Sequence, residues 1–193
     1  MVVSGVLGSA LGLGTLAFLG SSVPEGVWNY PVPGPVHVAF ATLLVVVHLL
    51  SAHGFLGLSR VEGATKIVRV AALVGAGSQV LLSACEAASG TLVGVAMTSG
   101  AATAVGSAFG VASLVYAVAT LIGGVALARR RLLPGANWSV AASGAILLIL
   151  VTPANIAGAT VLRIVALTLW SLVFVWMGRG LANAVASPAG ARA

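Results

Sequence analysis

Long apolar runs separated by short polar segments are the feature that most restricts how this chain can fold. Hydrophobic residues make up 60% of the 193 residues and charged residues only 6%, whereas folded soluble domains carry about a quarter charged residues. So little polar surface cannot cover a water-soluble globule. The sequence therefore predicts a membrane protein and excludes a soluble enzyme, a disordered tail and a nucleic-acid-binding module.

The lengths of the apolar runs predict how often the chain crosses the bilayer. A membrane-spanning helix needs about 20 mostly apolar residues to cross a hydrocarbon core of roughly 30 Å. We predict an all-α bundle of six spans, at about residues 2–22, 37–58, 68–88, 105–128, 138–152 and 159–178. They form a single transmembrane domain over residues 1–182, followed by a short cytoplasmic tail at 183–193.

Basic residues alternate between the connections and predict the orientation. The second connection carries Arg60 and Lys66, the fourth carries Arg129, Arg130 and Arg131, and the first, third and fifth carry none. Because basic loops stay on the cytoplasmic side, we expect both termini and these two connections in the cytoplasm of a cell-membrane protein. We also expect these five basic side chains to meet anionic lipid headgroups.

Three segments carry specific expectations. No Lys or Arg precedes the apolar part of residues 1–22, so we expect a retained helix, with a cleaved signal peptide as the alternative. Residues 89–104 are rich in glycine, serine and threonine, and we expect an outer loop, with a re-entrant segment as the alternative. Pro153 predicts an early end of the fifth helix, since proline lacks the backbone N–H that the helix needs.

Small residues recur at helical spacing and indicate close helix packing. Gly8 with Gly12, and Gly106 with Gly110, match the GxxxG spacing that lets helix backbones approach in a membrane. Packing within the bundle is our main expectation. A homodimer face, or contact with a membrane protein partner, is the alternative.

Two short segments resemble each other and raise the hypothesis of an internal repeat. Residues 63–70 and 158–164 share a Gly-Ala-Thr start followed by an arginine, and each opens the third helix of a three-helix half. Halves with an odd number of spans insert in opposite orientations, which would give an inverted 3+3 repeat. Chance similarity in a chain rich in alanine, valine and glycine is the competing explanation.

Polar residues at membrane depth form the candidate site. Ionisable groups there are costly and indicate pairing or function. Arg163 and Glu86 lie at similar predicted depth, so we expect either an ion pair or separate contact of each side chain with the outer headgroups. With Gln79 on the Glu86 face of the third helix, His48 near the centre of the second and Asn155, they form a candidate intramembrane polar cluster.

The histidines and the cysteine predict no cofactor. His37, His48 and His53 all lie on the second span, so bis-histidine haem would require another chain. We expect His48 to be a buried neutral imidazole, and a haem-binding role is a weaker hypothesis. Cys85 is the only cysteine, which excludes a disulfide within the chain and favours a packing role.

Motifs for intramembrane catalysis are absent from the sequence. The chain has no Asp, no HExxH zinc motif and no P-loop, so we expect no enzymatic activity. In its bias toward alanine, valine, glycine and arginine the chain resembles six-span membrane proteins of high-GC bacteria, a resemblance of style that implies no activity. We expect a structural or interaction component of the membrane. The alternative is a small transporter or permease for a small solute or ion, with a site near Glu86 and Arg163.

Overall fold

Six helices and no β-strand make up the part of the chain that the computed structural model describes, residues 1–186. They are α1 (Val2–Leu16), α2 (Gly34–Ser59), α3 (Lys66–Ser89), α4 (Gly100–Arg129), α5 (Ser139–Ile156) and α6 (Thr160–Ala186). The all-α prediction is confirmed for these residues. Residues 187–193, most of the predicted tail at 183–193, lie outside the described residues, and 183–186 end α6.

Helix length separates α1 from the other five. Helices α2 to α6 are long and apolar enough to cross a membrane. Helix α1 has 15 residues, about 22 Å at 1.5 Å per residue. The span expected to reach residue 22 thus ends as a helix at Leu16, and turns with bonds such as Leu19 N–H to Leu16 O (3.2 Å) lead to Gly20. Gly20 has a φ of +86°, which a helix does not allow.

The helices form a ring in chain order. Each one packs against its neighbours in sequence, α6 closes the ring against α1, and α2 also reaches α6 across the centre. Helices α1 and α6 run antiparallel, since Gly5 faces Ser171 and Val175 while Gly12 faces Thr168.

The connections gather at two ends of the bundle. At one end Gly63, in the second connection, lies near Leu132 in the fourth, and Trp176 Nε1 donates to Gly135 O at 2.7 Å. At the opposite end residues 90–99 are tied to the first connection, where Trp28 N donates to Val95 O at 2.9 Å. Within the segment at 89–104, residues 90–99 therefore form a hydrogen-bonded loop without a helix of its own, and residues 100–104 are the first residues of α4.

Helix α5 continues past Pro153 to Ile156, so the expectation that proline ends it early is wrong. The turn before the proline is π-helical (Leu147–Val151), and the N–H of Thr152 bonds to Leu147 O. The Thr152 hydroxyl also donates to Leu147 O at 2.8 Å. This wider turn places Pro153 in the first turn of a new α-helical segment, where its missing N–H is not needed.

Aromatic side chains fill the centre of the ring. Phe55 of α2, Tyr116 of α4, and Trp170 and Phe174 of α6 meet edge to face, with ring centroids 4.9 to 6.3 Å apart. All four are buried. Edge-to-face contact is a favourable arrangement for aromatic rings. The centre of the bundle is thus a packed apolar plug with a few polar atoms at its margin.

Candidate functional site

The polar site begins with a hydrogen bond between α2 and α3. His48 Nδ1 lies 2.7 Å from Gln79 Oε1, and both side chains are buried. Gln79 reaches this position because small residues on the same face of α3, Ala72 and Ala76, are buried and let the helices approach. In this arrangement Nδ1 carries the hydrogen and donates to the amide oxygen.

Glu86 lies on the other side of the same imidazole. Its Oε1 is 3.8 Å from His48 Nε2, and the side chain is 15% exposed against 6% for that of His48. This distance is too long for a hydrogen bond. The contact is an ion pair only when His48 is protonated, and the imidazole lies between an amide and a carboxyl group of α3.

Two buried donors near this site lack a hydrogen-bond partner in the described part of the chain. They are Gln79 Nε2 and Trp170 Nε1. Both side chains interact with the Tyr116 hydroxyl, which itself donates to Ser143 Oγ at 3.0 Å. A buried donor left unsatisfied costs about 1–3 kcal/mol. The Tyr116 oxygen still has acceptor capacity, so the polar groups converge on it from α3 and α6.

Arg163 and Asn155 lie away from this group. Helices α3 and α6 are not neighbours in the ring, and no ion pair joins Glu86 to Arg163 within residues 1–186. Arg163 is partly exposed in the first turn of α6, and Asn155 is exposed near the end of α5. Of the five residues in the predicted cluster, the structure thus brings together His48, Gln79 and Glu86.

Sequence reasoning missed Tyr116, Ser143 and Trp170 as members of the polar group. A usable signal was present for the two aromatic residues. Each lies near the middle of a long apolar helix, whereas tyrosine and tryptophan in membrane proteins favour the interfaces. A hydroxyl or indole N–H at mid-membrane depth needs a polar partner, which points to a network at that level.

The other histidines occupy separate places. His37 Nε2 lies 3.2 Å from Ser89 O, at the bundle end that holds the first connection and residues 90–99. His53 is exposed on α2. No group of three or more His, Cys, Asp or Glu side chains suited to a metal ion occurs in residues 1–186.

The predicted packing glycines divide into a covered pair and an open pair. A Cβ on Gly8 would lie 2.7 Å from Ser171 Oγ, and one on Gly12 would contact Thr168, so this face of α1 packs against α6. A Cβ on Gly106 would lie 3.8 Å from the Trp28 ring, and one on Gly110 would meet nothing within 4 Å. The glycine face of α4 therefore lies on the surface of the bundle.

Two concavities lie along α3 and α4, and neither reaches the polar group. One is a groove of about 360 Å³ on the outside of the bundle. The other is an internal void of about 10 Å³ beside Phe55. His48, Gln79 and Glu86 line neither of them. His48 and Gln79 are buried among protein side chains, and the Glu86 side chain is 15% exposed.

Comparisons with protein-family models, curated proteins and solved structures found no match to this chain. Chemically, the site orients an imidazole through an amide and places a carboxyl group 3.8 Å from the other ring nitrogen. It presents no nucleophile activated by a neighbouring base among the groups described above.

Proposed function

We propose that this chain is an integral multi-pass protein of the cell membrane, with six spans, acting as a structural or interaction component without enzymatic activity of its own. The observation that carries the proposal is the closed centre of the ring. Phe55, Tyr116, Trp170 and Phe174 pack there edge to face, and all four side chains are buried. A component that holds its shape in a bilayer needs such a packed interior, whereas a conduit needs a hydrated one.

Charge placement supports a cytoplasmic position of both termini. The basic residues of the connections lie at the bundle end that holds residues 60–65 and 130–138, and Glu25 lies at the opposite end. Basic loops remain on the cytoplasmic side. Helix α1 with its following turns, at roughly 2 Å per residue, extends to about 30 Å, which supports a sixth crossing.

An inverted 3+3 repeat is a weaker proposal. The ring order supports it, because the contacts of α1 with α2 and of α2 with α3 correspond to those of α4 with α5 and of α5 with α6. Helix lengths count against it, since α1 has 15 residues and its counterpart α4 has 30.

The second candidate is a small transporter or permease for a small solute or ion. The observation that favours it is the contact between His48 and Glu86 beside two unpartnered buried donors. Ionisable groups inside a membrane bundle frequently mark ion or proton pathways. Glu86 then would carry the site together with His48 and Gln79, and Arg163 and Asn155 would lie outside it.

A thermal-shift screen of ions and small solutes on the purified protein separates the two candidates, because a ligand that binds only the folded state raises its melting temperature. The structural role predicts no specific shift. The transporter predicts a shift that is lost in Glu86→Gln and kept in Glu62→Gln, a control in the exposed second connection. A ligand with that pattern would overturn the first candidate.

A homodimer is the partner that the exposed glycine face of α4 supports. Gly8 and Gly12 are covered by α6, whereas the position of Gly110 is open. Close packing of small residues drives helix association in bilayers. A second copy packed on this face would bury it.

A further inference from the structure

We propose that the groove between α3 and α4 binds one acyl chain of an anionic phospholipid, with the lipid phosphate beside Lys66. The groove is the 360 Å³ concavity on the outside of the bundle. This inference rests on the proposed membrane location, and it adds a defined ligand and a defined binding site to it.

The walls of the groove are apolar and come from two helices. Ile67, Val70 and Val74 recur at three- and four-residue steps on one face of α3, and Ala119 and Ile122 stand opposite on α4. A groove forms here because two of the lining side chains, Ala71 and Ala119, are small. The two helices also approach closely below it, where a Cβ on Gly123 would contact Ala71.

The groove faces the surroundings of the bundle. Ile67 is 56% exposed and Ile122 is 58% exposed. A membrane bundle presents such exposed apolar side chains to lipid. From Lys66 to Val74 the groove follows about 12 Å of helix, at 1.5 Å per residue. A hydrocarbon chain lying along the bundle fits this direction and apolar lining.

Charge selects the occupant. Lys66 is the only charged residue among those lining the groove, and it is exposed at the first residue of α3. The Arg129–Arg131 cluster ends α4 at the same end of the bundle, where Gly63 and Leu132 bring the two basic connections together. Each basic side chain near a membrane surface attracts anionic lipid by about 1 kcal/mol. An anionic headgroup therefore fits the mouth of the groove better than a zwitterionic one.

A helix of a second copy fits this groove poorly. A helix with its side chains is about 10–12 Å across, and seating one here would cover the Lys66 ammonium, which needs water or an anionic partner. A single acyl chain fills the apolar part and leaves that ammonium at the membrane surface.

Lipid titration followed by native mass spectrometry tests the proposal. The purified full chain is titrated with phosphatidylglycerol and, separately, with phosphatidylcholine. Wild type should bind the first lipid more tightly. Lys66→Gln should weaken that binding about fivefold, the factor equivalent to roughly 1 kcal/mol. Ala119→Phe, which fills the groove, should abolish the tight site for phosphatidylglycerol.

Two controls and one independent measurement complete the test. Arg179→Gln removes an exposed charge from the same end, and Val118→Phe adds a ring to an exposed position of α4 outside the groove. Both should bind like wild type, and matching melting temperatures show that Ala119→Phe folds. Equal binding of the two lipids, unchanged binding in Ala119→Phe, or a dimer lost with that substitution would overturn the proposal.

Alkaline extraction of wild-type membranes tests the membrane location separately, since release of the chain would contradict that location whatever lipid it binds.

Discussion

At the scale of single residues, His48 matters most because both of its ring nitrogens face polar groups of α3. Gln79 Oε1 accepts from Nδ1 at 2.7 Å, and Glu86 Oε1 stands 3.8 Å from Nε2. Two polar groups of α3 therefore flank the imidazole of α2, and this contact joins the two helices beside Trp170 of the aromatic core.

The bond between His48 and Gln79 predicts a measurable coupling between the two positions. Interhelical side-chain hydrogen bonds in membrane proteins average about 0.6 kcal/mol and reach about 1.7 kcal/mol. A double-mutant cycle of His48→Leu and Gln79→Leu, read as the free energy of unfolding in detergent, should give a coupling in this range. The same cycle with His53→Leu, an exposed position of α2, should give additive effects. Additivity in the first cycle would contradict the bond.

The candidate site could be predicted from the sequence only in part. The spacing of Gln79 and Glu86 correctly placed them on one face of α3, because the helical period alone decides that. Depth arithmetic set Arg163 at the level of Glu86, but depth carries no information on lateral position. In the ring α3 and α6 are not neighbours, so the pair is not formed, and the partner of Glu86 is His48 instead.

At the scale of helices, the most restrictive contact is the one between α4 and α5. A Cβ on Gly124 would lie 2.6 Å from Ala141 Cα and 2.8 Å from the Val140 carbonyl carbon. On the other helix, a Cβ on Gly144 would lie 2.5 Å from Ala117 O. These neighbours are backbone atoms that cannot rotate away, so the two helices depend on glycine on both sides of the contact.

Gly124→Ala should therefore destabilise the bundle by about 1–3 kcal/mol, the usual cost of overpacking. Gly77→Ala is the matched control, since it lies within α3 and a Cβ there would meet nothing within 4 Å. It should be neutral or slightly stabilising because alanine favours helix. Both are measured as the free energy of unfolding in the same detergent. Equal effects of the two substitutions would show that the close contact does not hold α4 against α5.

Hydropathy predicted the central helices better than the first and fifth. Helices α2, α3 and α4 end within a residue of their predicted positions, and α2 and α3 start within three residues of theirs. Helix α4 starts five residues early, at Gly100, because no charge or proline marks the beginning of its apolar run. Helix α1 ends early at turns before Gly20, and α5 passes through Pro153 by way of a π-helical turn. Both outcomes depend on local hydrogen-bond geometry, which a hydropathy profile does not encode.

At the scale of the whole molecule, the glycine face of α4 at Gly106 and Gly110 is exposed on the surface of the ring. If a second copy covers it, oxidative cross-linking in native membranes should join two chains through Gly110→Cys in a Cys85→Ala background. Val80→Cys, exposed on α3, is the control and should give little dimer. Equal yields at the two positions, or none at 110, would argue against a dimer through α4.

The central claim is that the chain crosses the membrane six times and keeps its basic connections on one side. Accessibility of single cysteines to an impermeant thiol reagent, in sealed vesicles of known orientation and a Cys85→Ala background, tests it most directly. The substitutions fall in all five connections and are Glu25→Cys, Glu62→Cys, Thr91→Cys, Arg130→Cys and Ala157→Cys. Positions 25, 91 and 157 should react only from outside, and positions 62 and 130 only from the cytoplasmic side. Labelling of 25, 91 or 157 from the cytoplasmic side would contradict the six-span arrangement.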